Sequence, residues 1–168
     1  MFINSCKTIN NFLDKEQLST IQSIVFDPEF PWYKRKELDF NSNNGIYFSH
    51  GFYNNMGPTS HFFINTIKPV LEKLNCMAPI QIRCNMFISK LFEKSNFHTD
   101  YDNTKSKTAI LYLNTCDGGT EIKINNKIKF IKAVENKILI LDNNILHRAI
   151  TSIKSPIRYI INLNYYEK

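Results

Sequence analysis

From residue 78 onward, apolar and polar residues alternate with a period of two. Strands produce that spacing, because successive side chains point to opposite faces of a sheet. It excludes a helical bundle for the second half of the chain. Candidate strands run over 80–89, 95–100, 108–114, 120–124, 127–132, 137–142, 145–150 and 156–165. Asn125 and Asn126 separate two alternating runs, and Asn tolerates the positive φ of a tight hairpin turn. A set of short strands preceded by helices fits a mainly β chain. The expected architecture is a double-stranded β-helix (jelly roll) with N-terminal helices packed on the major sheet.

The first part of the chain reads differently. Asp14 followed by Gln17 resembles a capping box, and Leu18, Ile21 and Val25 recur at helical spacing. A helix near 15–26 is expected. A second is expected over about 60–74, kinked or divided by Pro69. Residues 27–58 carry many Asn, Gly and Pro among Phe30, Trp32, Tyr33, Phe48, Phe52 and Tyr53. Long loops with one short strand at 46–52 are expected there. The aromatics are core or staple residues, or else a lid over substrate. Residues 1–168 read as a single domain, with 1–77 as helical support and substrate loops and 78–168 as the jelly-roll core.

Composition narrows the function classes. A chain of 168 residues with 43% hydrophobic content can bury about 70% of its unfolded surface without disulfides. Cys6, Cys76, Cys84 and Cys116 show no CxxC spacing and read as reduced thiols of a cytoplasmic protein. Apolar runs such as 138–141 are far shorter than the ~20 residues that span a bilayer, so no membrane partner is expected. The first residues lack the basic and apolar regions of a secretory signal. The net charge of +6 comes with 17 Lys against 4 Arg. The Lys residues are scattered, as in a chain drawn from AT-rich codons, and only Lys34-Arg35-Lys36 forms a tight cluster. This reads as a solvated basic surface rather than a nucleic-acid groove.

The segment Asn96-Phe97-His98-Thr99-Asp100 carries the chemistry. Residues two apart on a strand share a side, so His98 and Asp100 can present an imidazole and a carboxylate to one point. His147 is the candidate third ligand. Two His and one carboxylate make the facial triad of non-haem Fe(II) oxygenases, which leaves one face of the metal open. An HxD pair also occurs by chance, and either His could be an ordinary surface or core residue.

Arg158 adds to the pattern. It follows His147 by eleven residues, on the next expected strand, in Arg158-Tyr159-Ile160-Ile161-Asn162-Leu163-Asn164-Tyr165. Ala109-Ile110-Leu111-Tyr112-Leu113-Asn114 precedes Gly118-Gly119-Thr120, and Leu141-Asp142 precedes His147. With these residues the chain resembles the 2-oxoglutarate and Fe(II)-dependent dioxygenases over about 80–166. It looks most like the prolyl-hydroxylase-like branch and the small oxygenases of that type carried by tailed phages. The resemblance implies that His98, Asp100 and His147 ligate Fe(II). It also implies that Arg158 holds the distal carboxylate of 2-oxoglutarate, with Tyr112 reaching the same cosubstrate. Asn85 and Phe87 fall where relatives have a polar residue or Tyr; Phe87 has no hydroxyl, so Asn85 is the expected substitute. Asn162, on the face of Arg158, is a further cosubstrate-binding candidate. The implied reaction consumes O2, hydroxylates a peptide or protein side chain, or a small molecule, and releases succinate and CO2, with ascorbate as a reductant. Oxidation of nucleic acid and a non-catalytic metal-binding jelly roll are the alternatives. For a phage-encoded chain the place of action is the host cytoplasm.

Strand parity can be read independently. If Arg158 points inward, so do Ile160, Asn162 and Asn164, and the mostly apolar Tyr159, Ile161, Leu163 and Tyr165 point outward. Tyr112 inward sets Ala109, Leu111 and Leu113 outward. Asn85 inward sets Cys84, Met86 and Ile88 outward. Such a sheet needs helices over its outer face, and its polar inner face would line a pocket. Outside the pattern, His50 and His61 read as ordinary loop residues, with a substrate-loop role open to His50. Asp102 reads as a solvated acid. Asp142 reads as a strand end or as a group orienting the His147 region.

Overall fold

The alternating segments form two antiparallel sheets in the computed structural model, which describes residues 5–35, 46–89, 94–101 and 105–168. In chain order the elements are β1 (Cys6–Ile9), α1 (Lys15–Val25), β2 (Tyr33–Arg35), β3 (Tyr47–Asn54), β4 (Gly57–Pro58), α2 (Phe63–Thr66) and α3 (Lys68–Lys73). There follow β5 (Cys76–Ile88), β6 (Lys107–Tyr112), β7 (Gly119–Ile124), β8 (Lys127–Lys132), β9 (Ile138–Asp142), β10 (Leu146–Ile150) and β11 (Ile157–Glu167). The larger sheet has the order β1-β9-β6-β11-β5-β3-β2, with β4 attached to β3. The smaller has the order β10-β7-β8. The architecture is mainly β, a jelly roll with helices on the major sheet.

α1 begins at Asp14, whose carboxylate accepts the Gln17 N–H at 2.8 Å to complete a capping box. The helix buries Leu18, Ile21 and Val25. The expected 60–74 helix is two short pieces meeting at Ile67. Pro69 stands in the first turn of α3, where its missing N–H costs no helical hydrogen bond. These helices cover the outer face of the larger sheet: Leu18, Ile21, Val25, Ile67 and Val70 share one core with Ile82, Cys84, Leu111, Ile161 and Leu163. A second core lies between the sheets and contains Phe87, Ile110, Tyr112, Ile122, Leu139 and Ile160. Alternate residues of β5, β6 and β11 thus enter different cores, with the parity expected from sequence.

Asn125 and Asn126 have φ of 49° and 60° and form the β7–β8 turn. Segment 95–100 differs from expectation. It is no strand; Lys94 bridges Ile150 and His98 bridges His147, and the backbone between is irregular. Its polar run Ser95-Asn96 followed by His98-Thr99-Asp100 buries too little apolar surface to hold a continuous ladder. The short strands β1, β2 and β4 were not expected, and β1 and β2 are the edges of the sheet. No helix among the described residues is long and apolar enough to cross a membrane.

Truncating Ile21 to Ala, at a position with 0% exposure, is expected to lower stability by about 2–5 kcal/mol in chemical denaturation. A loss below about 1 kcal/mol would contradict the packing of α1 on the sheet.

Candidate active site

His98 and His147 face each other through reciprocal backbone hydrogen bonds, His98 N–H to His147 O at 3.0 Å and His147 N–H to His98 O at 2.9 Å. Directly opposed residues of an antiparallel pair carry adjacent side chains. The two ring centroids are accordingly 4.7 Å apart. Each ring donates its Nδ1–H to a backbone carbonyl two residues earlier: His98 to Asn96 O at 3.0 Å and His147 to Ile145 O at 3.2 Å. That fixes the tautomer and leaves both Nε2 lone pairs for another partner. Asp100 Oδ1 lies 3.7 Å from each Nε2. The three potential ligand atoms lie within 4.8 Å of one another, and no other such group occurs among the described residues. Two imidazoles and one carboxylate, already oriented by outer hydrogen bonds, fit a divalent transition metal.

The other carboxylate oxygen of Asp100 is held from the sheet. Asn162 Nδ2 donates to Oδ2 at 3.2 Å, and the Thr108 hydroxyl lies 3.3 Å away. Burial pushes this carboxyl up. The hydrogen bond and charge of His147, then His98 and Asn162, outweigh it and hold Asp100 well below the usual carboxylate range. Burial pulls His147 down, and Asp100 more than reverses the shift.

Arg158 closes the far end. It is 1% exposed, and Phe87, its cross-strand partner, lies under its guanidinium at 4.8 Å. Its Nη1 donates to Gly119 O at 2.5 Å and Ile150 O at 2.6 Å, while Nε is buried with no partner. Burial pulls its pKa down, and no carboxylate pairs with it among the described residues. A buried guanidinium with an unused donor and no counter-charge is unfavourable unless an anion joins it. A ligand carboxylate would satisfy both the donor and the charge.

Two glycines allow close backbone approach at Gly119 and Ile150, whose carbonyls Arg158 uses. A Cβ on Gly119 would lie 2.2 Å from Ile131 O, and one on Gly118 would lie 2.8 Å from Ile150 O. Asp117, just before them, ties down the turn between β10 and β11. It accepts the Ser152 hydroxyl and the N–H groups of Ile153 at 3.1 Å and Ser155 at 3.3 Å. These bonds, the Ser152 one foremost, hold its carboxyl well below the usual range.

His98, Asp100, His147, Arg158, Asn85 and Asn162 line one pocket of about 590 Å³, mouth included. Asn85 Oδ1 is buried there without a partner. Tyr112 stands behind the lining; its hydroxyl donates to Thr120 Oγ1 at 2.8 Å, and Thr120 faces the pocket. Thr120, Thr108 and Arg83 are pocket or support residues that were not singled out from sequence. The parity of Asn85 would have found Arg83, two residues before it on the same face. Asp142 is engaged by Lys107 at 2.5 Å rather than by the His147 ring. His50 is buried among Phe30, Phe52 and Phe62, with ring nitrogens bonded to Pro31 O at 3.0 Å and Ser60 Oγ at 2.8 Å. His61 packs against the Phe62 ring. Asp102 lies outside the described residues.

Solved structures share this arrangement of sheets. A prolyl hydroxylase from Trichoplax adhaerens, determined with a peptide fragment of the hypoxia inducible factor oxygen degradation domain, aligns with TM-score 0.71 at 16% identity, covering 98% of this chain and 84% of that one. A prolyl-4-hydroxylase from Pseudomonas putida aligns with TM-score 0.71 at 10% identity, covering 98% and 94%. An oxidoreductase of the 2OG-Fe(II) oxygenase family from Burkholderia pseudomallei aligns with TM-score 0.73 at 9% identity, covering 96% and 84%. The fold is that of the 2-oxoglutarate and Fe(II) oxygenases. No family model and no curated protein matches the chain in sequence.

Replacing Gly119 by Ala is expected to cost about 2 kcal/mol or more and to lower Tm by about 5 °C in calorimetry. An unchanged Tm would mean that β8 does not approach β7 so closely.

Proposed function

We propose that the protein is an Fe(II)- and 2-oxoglutarate-dependent dioxygenase that hydroxylates a peptide or protein side chain. One observation carries this reading: an oriented His-Asp-His set and a buried guanidinium without a counter-charge share a single pocket. A structural metal site would not need the second feature, and structural sites have closed ligand shells. Fe(II) and 2-oxoglutarate, when bound, supply O2 activation for C–H hydroxylation, with release of succinate and CO2.

The chain's own residues do the rest. His98, Asp100 and His147 would hold the metal on one side and leave the pocket side open. Arg158 would bind the distal cosubstrate carboxylate through its free donors, bidentately and with a charge it does not lose. The Tyr112 hydroxyl donates to Thr120, which turns the Thr120 proton toward the same carboxylate. Asn85 would hydrogen-bond the cosubstrate in place of a tyrosine hydroxyl. Asn162 would act on the cosubstrate side through Asp100, whose carboxylate it orients. Phe87 and Ile160 keep water from the Arg158 end. The peptide class is supported by the prolyl hydroxylases among the structural neighbours, one of them solved with a peptide. A screen of peptides that reads succinate release tests activity and substrate together.

His98→Ala and His147→Ala are each expected to abolish Fe(II) binding, measured as metal retained after desalting, together with succinate release. Wild-type rates in both variants would remove the triad from the account. Arg158→Ala is expected to weaken 2-oxoglutarate binding at least tenfold in a titration while metal is retained. An unchanged affinity would remove Arg158.

A further inference from the structure

β5 turns Gln81, Arg83, Asn85 and Phe87 toward the pocket. Across the β5–β11 ladder Phe87 faces Arg158, Asn85 faces Ile160 and Arg83 faces Asn162. Asn162 in turn holds Asp100. Arg83 therefore stands beside the metal ligands, about 13 Å along the strand from the Arg158 end at ~3.3 Å per residue. The triad and both guanidinium groups line the same pocket.

The two arginines differ in what they hold. Arg158 is fastened to backbone carbonyls and awaits one carboxylate. Arg83 is half-buried and donates to the Tyr47 hydroxyl, which also lines the pocket. No carboxylate pairs with Arg83 among the described residues. Arg148, the third arginine of the pocket, is already neutralised by Glu121 at 2.6 Å and lies over the Phe97 ring. A divalent metal, Arg158 and Arg83 together carry four positive charges, against three negative ones from Asp100 and a bound dicarboxylate. The loaded pocket would thus keep one positive charge, and Arg83 is the lining guanidinium left without an anion. In a partly desolvated site such a charge selects strongly for an anion.

We propose that Arg83 binds a carboxylate of the substrate, so that the substrate is a small carboxylic acid or a peptide presenting an Asp or Glu side chain beside the C–H bond that is oxidised. The proposal rests on the dioxygenase reading and narrows its substrate class. The guanidinium fork of Arg83 can take a carboxylate bidentately, and one carboxylate balances the single charge left over.

The test uses full-length protein loaded with Mn(II) and saturating 2-oxoglutarate, so that nothing turns over. Ligand NMR line-broadening by the metal is read for two paired sets. One is a series of amino and organic acids against their primary amides. The other is a set of pentapeptides fixed on Asp or Glu against the same peptides with Asn or Gln. At least one acidic set is expected to bind tenfold or more tightly than its amide partner. Arg83→Gln is expected to erase that preference, and Arg83→Lys to keep part of it. Preference in the acid series alone assigns a small-molecule substrate, and preference in the peptides assigns an acidic segment. No preference in the wild type, a preference that survives in Arg83→Gln, or Arg83-dependent binding of a short oligonucleotide in place of both acidic sets would overturn the proposal. The 2-oxoglutarate resonances in the same samples separate the two levels. If they are not broadened, the dioxygenase reading fails; if they are and the acids are not, the carboxylate subsite alone fails.

Discussion

The two-sided character of β11 is the constraint on which the rest depends. Its odd-numbered residues Ile161, Leu163 and Tyr165 are sealed against the helices, and its even-numbered residues Arg158, Ile160, Asn162 and Asn164 face the space between the sheets. The apolar side supplies the burial that stabilises the strand. That stability lets the other side carry a guanidinium and two amides in a partly desolvated cavity, where each would otherwise be unfavourable. β11 also pairs with both β5 and β6, so its register sets what faces Arg158 and what reaches Asp100. A one-residue slip would exchange the two faces and remove the pocket.

The distribution of basic residues follows the same logic. The chain has 17 Lys and 4 Arg, and three of those four Arg line the pocket. The fourth, Arg35, donates to Ser49 at 3.0 Å and acts on the same Tyr47 hydroxyl as Arg83. A guanidinium is more weakly hydrated than an ammonium and offers a planar fork, so it tolerates burial and aligns a carboxylate. The lysines set the net charge, and the arginines set the chemistry.

Much of this was legible in the sequence, for identifiable reasons. Period two is a property of strands, so the faces of Asn85, Tyr112 and Arg158 followed from counting. The Asp14–Gln17 cap and the Asn125-Asn126 turn are local, and each is settled by a few dihedrals. The spacing of His98, Asp100, His147 and Arg158 named the groups that now share one pocket. What was not legible depends on contacts far apart in sequence. The segment around His98 is held by two bridges to β10 rather than by a ladder, which its own composition does not announce. Tyr112 turns its hydroxyl to Thr120 and its ring toward Arg158, both pocket-lining residues that come from other strands. β1 and β2 are four- and three-residue edges whose pairing is set by the finished sheet.

The proposed activity requires one pocket to hold a metal through His98, Asp100 and His147 and 2-oxoglutarate through Arg158. Anaerobic titration of the protein with Fe(II) and then 2-oxoglutarate, followed by visible absorption, tests it most directly. A weak charge-transfer band is expected that appears only when both are present and saturates at one equivalent of each. Metal binding without such a band, or a band indifferent to 2-oxoglutarate, would contradict it.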